Sequence, residues 1–236
     1  MSAAAPGAVV RPARSDVLRA LDAVRDPELD EAVTSLGFVA SYDVAGSTAE
    51  VHLRLPTYFC APNFAFLMVA DAYDAVSAVP GVERAVIVLD DHFASDDINT
   101  GVAARAGFVG TFGDEAEGEL DDLRADFVRK AVLAGTDRVC RPLLAQGEDV
   151  LTLRLGDVPQ SPELDRLRDR RAELGLPADD ASPLLVDVLT GEPVSRDDQR
   201  MYLGRARLAR VNIEANTGIC RGMLAHRYGT TEEETQ

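Results

Sequence analysis

Between residues 36 and 89 the spacing of apolar residues changes from strand-like to helix-like and back, and this constrains the fold more than any other feature of the chain. Residues 36–44 read as a strand, Ala45-Gly46-Ser47 as a tight turn, and residues 49–55 as a second strand with Val51, Leu53 and Leu55 alternating on one face. Pro62 suits the first turn of a helix, where its missing N–H costs nothing. Phe64, Leu67, Met68, Ala72, Val76 and Val79 then recur at helical spacing up to a stop at Pro80-Gly81, and residues 82–89 read as a third strand. Helix alternating with strand around a hairpin predicts a compact α+β domain ending near residue 104.

The flanks extend this pattern. Ser15 is positioned to cap a helix with Val17, Leu18, Leu21 and Val24 on one face, stopped at Asp26-Pro27. After the third strand comes the acidic loop Asp90-Asp91-His92-Phe93-Ala94 and a segment capped by Ser95. Residues 107–118 read as a Gly-rich link, and the remainder of the chain is mainly helical in character. Leu120, Leu123, Phe127 and Ala131 share a face up to a stop at Gly135, Ser161-Pro162-Glu163 starts a helix ending near Gly175, and residues 196–228 are helical with a break near Gly218. Residues 150–155 and 184–189 are short apolar runs that read as strands. The expected class is α+β: a small N-terminal α+β domain with a three-stranded sheet, then a mainly helical C-terminal domain. The expected segments are a flexible N-terminus (1–14), the α+β domain (15–104), the helical domain (105–229) and a disordered tail (230–236).

A net charge of −16 over 236 residues repels phosphate backbones and anionic lipids, which argues against nucleic acid and membrane as partners. Cys60, Cys140 and Cys220 are odd in number, far apart and without a Cys-x-x-Cys pair, so neither a disulfide framework nor a zinc knuckle is expected. The start of the chain lacks the apolar run of a signal peptide, and the expected location is the cytoplasm. Cys60 lies just ahead of the helix that Pro62 opens, facing unpaired N–H groups and the positive end of the helix dipole. That placement favours a thiolate able to bind a soft metal or attack an electrophile.

Four motifs in order carry a resemblance. They are Asp26-Pro27-Glu28-Leu29 after the first helix, Leu36-Gly37-Phe38-Val39 opening the first strand, Thr57 with Cys60 after the second, and Pro80-Gly81-Val82 before the third. With them, residues 15–104 resemble the iron–sulfur cluster assembly family that includes SufT-like and PaaD-like proteins. Ala61 stands where that family usually has proline after its cysteine, and His92-Phe93 where an aromatic Pro-Trp pair is common. The resemblance implies an α+β fold, a role in maturing iron–sulfur or other iron proteins, and Cys60 as the functional thiol. It also implies that Asp26 and Glu28 lie near the cysteine, holding the loop or offering an oxygen ligand; as residues alone they read as turn formers. Thr57 reads as orienting the Cys60 loop through its hydroxyl.

One thiolate cannot satisfy iron, which clusters hold through several. Cys60 must therefore share iron or a cluster with a second copy in a homodimer, with a client's cysteines, or with a small thiol, and each arrangement is labile. His92 has two readings, a ligand in a mixed N/O site or an exposed loop histidine. His52 is expected to face solvent, and Cys140 and Cys220 to be buried small side chains. Arg200, Arg207 and Arg210 belong to a basic C-terminal stretch that either docks an acidic partner or is a solvated face. These features are compatible with three function classes. The first is a non-enzymatic maturation factor that binds iron or a cluster transiently at Cys60 and delivers it to a client. The second is a client-specific folding partner for an iron-dependent multicomponent oxygenase, and the third is an enzyme using Cys60 with His52 or His92 as base.

Overall fold

The computed structural model describes residues 11–116 and 118–229. Most of the expected flexible N-terminus and the whole of the expected tail lie outside them. The described residues divide into two compact units, one built from residues 11–27, 31–116, 118–120 and 219–229, the other from residues 28–30 and 121–218.

The first unit contains α1 (Arg14–Asp22), β1 (Val39–Ala45), β2 (Thr48–Leu53), α2 (Pro62–Ser77), β3 (Arg84–Leu89), α3 (Ser95–Ala103) and α4 (Gly107–Phe112). β1 and β2 form the expected hairpin, closed at the Ala45–Thr48 pair, where Gly46 takes φ 65°. That left-handed conformation is one that glycine adopts without steric cost. Ala49, Val51 and Leu53 are buried while Glu50 is exposed, as a half-buried strand requires. β3 joins β2 in parallel, from Thr48–Arg84 to Leu53–Leu89. Parallel neighbours need a crossover, and α2 supplies it, burying Met68, Val69, Ala72 and Val76. Because the pair runs in register, β2 and β3 end side by side, and the chain after Leu53 and after Leu89 leaves from one edge of the sheet.

Two local expectations in this unit are corrected. α1 begins at Arg14 with Ala13 as N-cap and without a side-chain cap, so Ser15 lies inside the first turn. The presumed Gly-rich link contains α4, packed directly on α3. A Cβ built at Gly101 would overlap Thr111 Oγ1, and the Phe108 ring sits 5.5 Å from that of Phe66 on α2. Glycine at 101 admits this contact, and residues up to 120 belong to the first unit.

The second unit comprises α5 (Asp121–Ala145), a 3-10 turn at Leu155–Asp157, α6 (Pro162–Glu173) and the earlier part of α7 (Gln199–Tyr228), whose last turns belong to the first unit. Gly135 does not stop α5. It faces α6 at ordinary packing distance, where a Cβ would lie 3.4 Å from Leu167 Cδ1. α7 is likewise unbroken at Gly218. The runs at 150–155 and 184–189 are not strands; each takes part in an isolated bridge, Arg154–Pro183 and Val186–Pro193, and Leu184 N–H donates to Leu153 O at 2.9 Å. Their apolar side chains plug the core while the fully buried Arg171 ties the backbone down, donating to Pro183 O at 2.9 Å and Leu184 O at 2.5 Å. The α6 start matches expectation: the Ser161 hydroxyl accepts from Leu164 N–H at 3.2 Å. Among the described residues no helix is long and apolar enough to cross a membrane.

Two glycine substitutions should diverge. Gly101→Ala forces α3 and α4 apart and is expected to cost about 1–3 kcal/mol. Gly218→Ala meets nothing within 4 Å and should stabilise by about 0.5–1 kcal/mol through helix propensity. Urea denaturation of both variants checks this, and equal effects would contradict the packing described.

Candidate functional site

The loops after β2 and β3 are stitched together. Asp90 N–H donates to Leu53 O at 2.8 Å, and Phe93 N–H to Tyr58 O at 3.2 Å. Asn99, from α3, braces the exit of β3 by accepting from Leu89 N–H at 2.8 Å and donating to Leu89 O at 3.2 Å. Between the loops His92 Nε2 lies 2.7 Å from Cys60 O, and Ala94 N–H donates to His92 Nδ1 at 3.2 Å. A ring that accepts at Nδ1 must carry its proton at Nε2, so His92 is a neutral imidazole donating to the Cys60 carbonyl. Burial pushes its pKa below the usual histidine value, against the opposing pull of the Cys60 carbonyl and with help from the Arg227 charge.

The reading of His92 as an exposed loop histidine is therefore corrected, since only 3% of the residue is accessible. With both nitrogens engaged, it clamps the cysteine loop. Phe93, its neighbour, is the residue that faces out.

Cys60 is half-buried and directly precedes Ala61, the N-cap of α2, whose carbonyl accepts from Phe64 and Ala65 N–H. Its Sγ lies 3.3 Å from Thr57 Oγ1, and the same hydroxyl accepts from Phe59 N–H at 3.3 Å. The Thr57 proton is thus available to the sulfur, consistent with Thr57 orienting this loop.

A further strut comes from the end of α7. Arg227 donates to Leu55 O at 3.2 Å and Asp91 O at 2.7 Å and pairs with the Asp91 carboxylate at 2.5 Å. Tyr228 OH donates to the same carboxylate at 3.1 Å, and the Arg54 guanidinium stacks 4.9 Å over the Tyr228 ring. Asp91 needs such support, because it sits at φ 52°, where side chains other than glycine are strained. Neither Arg227 nor Tyr228 is singled out by the sequence for this role. At 136 residues from Asp91, Arg227 leaves no local signal of this role.

The remaining predicted residues are dispersed. Asp26 is buried in the first unit, its N–H donating to Glu31 O at 3.0 Å. Glu28 belongs to the second unit and accepts from Asn216 Nδ2 at 3.1 Å. His52 lies between Asp90 and Glu50, each 3.0 Å away, and their hydrogen bonds raise its pKa. Arg210 is held by Asp137 and Glu214, whereas Arg200 and Arg207 are exposed. Cys140 is fully buried, and desolvation pushes its thiol up to about 12. Cys220, on α7, is half-buried rather than buried. Among the described residues no three or more His, Cys, Asp or Glu side chains group as a metal site.

The depressed His92 pKa gives a pH dependence with a definite sign. The unfolded chain takes up a proton near pH 6.5 that the folded chain resists, so the first unit should lose stability as pH falls below about 6.5. His52, whose pKa is raised, contributes in the opposite sense, losing stabilisation as pH rises; being largely solvated, it contributes less. Denaturation midpoints from roughly pH 5 to 8, measured in a His52→Asn background, should show this acid sensitivity, and adding His92→Gln should remove it. An unchanged slope would contradict the buried neutral ring.

The sequence family described as an iron–sulfur cluster assembly protein matches residues 14–87, which include Cys60 and Thr57 and end before the His92 loop. No curated protein and no solved structure matches the chain. The N-terminal part of the first unit is similar to that family, and the match points to iron–sulfur cluster assembly in general.

Proposed function

We propose that this protein is a non-enzymatic maturation factor that takes iron or an iron–sulfur cluster transiently on Cys60 and passes it to a client iron protein. The observation that carries this reading is a half-buried thiol on a loop clamped from two sides, with a hydroxyl beside it. One thiolate leaves the other iron positions to the thiolates of whatever donates or receives the cargo. Transfer then proceeds by stepwise ligand exchange. A fixed loop favours this exchange, because the sulfur is presented without the entropy cost of ordering it each time.

The enzyme alternative draws little support from the histidines. His92 would have to release the Ala94 N–H that occupies Nδ1, its unprotonated nitrogen, to serve as a base, and His52 is already occupied by two carboxylates.

Anaerobic reconstitution of the full chain with ferrous iron and sulfide should yield bound iron with visible absorbance. Cys60→Ala should remove most of it and Cys140→Ala should not. Equal loading of the Cys60→Ala protein would refute the assignment and favour a folding partner in which this cysteine is structural.

A further inference from the structure

Tyr58, Phe59 and Phe93 place three neighbouring aromatic rings in solvent beside Cys60, with residue exposures of 43%, 77% and 49%. Their centroids are 5.0 Å (Tyr58 to Phe59), 6.3 Å (Tyr58 to Phe93) and 6.1 Å (Phe59 to Phe93) apart. Contiguous exposed rings are costly to hydrate and mark interaction surfaces, and aromatic anchors dominate binding energy at protein interfaces. The backbone under them is already fixed by the Phe93–Tyr58 hydrogen bond and the His92 clamp, so little ordering remains to be done on binding.

We propose that these rings seat the client itself, through an apolar polypeptide segment that bears basic residues and its own cysteines. The cysteines in this statement rest on the cargo role of Cys60, since a receiving thiolate must come within bonding reach of the same iron. The basic character rests on charge. Asp96 and Asp97, three and four residues after Phe93 in the first turn of α3, are exposed and pair with no cation among the described residues. Arg54, over Tyr228, and Arg227, at Asp91, are already engaged. A second copy of a chain of net charge −16 would bring carboxylates against carboxylates on this face, and nucleic acid or anionic lipid meets the same repulsion.

The test uses the full-length metal-free protein and a fluorescein-labelled 12-residue peptide with two cysteines flanked by leucine and lysine, read by anisotropy. A peptide with glutamate for lysine should bind about tenfold more weakly, and Phe59→Ala/Phe93→Ala should weaken binding of the lysine peptide by a similar factor. Phe59 is 77% exposed whereas the Phe93 ring also lies 4.8 Å from that of His92, so Phe59→Ala alone should keep its denaturation midpoint and its iron loading at Cys60. Cys60→Ala should lose iron loading but still dock the peptide. Failure of the cargo role and failure of the docking role are therefore read separately. No binding by wild type, equal binding of the two peptides, or unchanged binding by the double variant would each overturn the proposal. So would a concentration-dependent dimer that Phe59→Ala/Phe93→Ala dissolves, because that outcome assigns the face to a second copy.

Discussion

The hydrogen bond from the buried His92 ring to the Cys60 carbonyl, 2.7 Å long, is the constraint on which the site depends. A loop carrying a thiol ahead of a helix would otherwise sample many conformations. The imidazole removes that freedom by engaging backbone on both sides, Ala94 N–H on one nitrogen and the Cys60 carbonyl on the other. A buried polar ring is tolerated only when both nitrogens are satisfied, so retaining His92 in the interior and fixing the cysteine loop are the same event.

Sheet topology makes this clamp possible. Parallel pairing of β2 with β3 brings the Cys60 loop and the His92 loop out at the same edge, and the end of α7 ties both through Arg227. The elements that hold the thiol are thus drawn from distant parts of the chain, while the sulfur itself shares a hydrogen bond with its close neighbour Thr57. Rigid support around this sulfur suits the transient cargo role we propose for Cys60.

Much of the first unit was legible in the sequence, because its signals are local. The alternation of Val51 and Leu53, the turn at Gly46 and the Pro62 helix start each report their own element, and the three-stranded sheet with helices preceding a mainly helical region agrees with the expected class. Features decided by tertiary packing were not legible. His92 follows two aspartates, and its two sequence readings, a ligand or an exposed loop histidine, both place it within reach of solvent, yet it is Phe93 that faces out, a reversal that only the partner loop explains. Gly135 reads as a helix stop but lies inside α5, whose packing on α6 outweighs the low helix propensity of glycine. The apolar runs of the second unit read as strands, and nothing in sequence foretells that the buried Arg171 will take the Leu184 carbonyl at the start of the later run. Thr57 and Cys60 were recognisable as a pair, whereas Arg227 acts on them through loops far away in the chain.

The most direct test of this account is the tautomer of His92, read from imidazole nitrogen shifts by NMR near neutral pH. The clamp requires a neutral ring protonated at Nε2, with Nδ1 accepting. A ring found protonated at Nδ1, or charged, would mean that it does not donate to the Cys60 carbonyl in this way, and the fixed thiol loop would lose its physical basis.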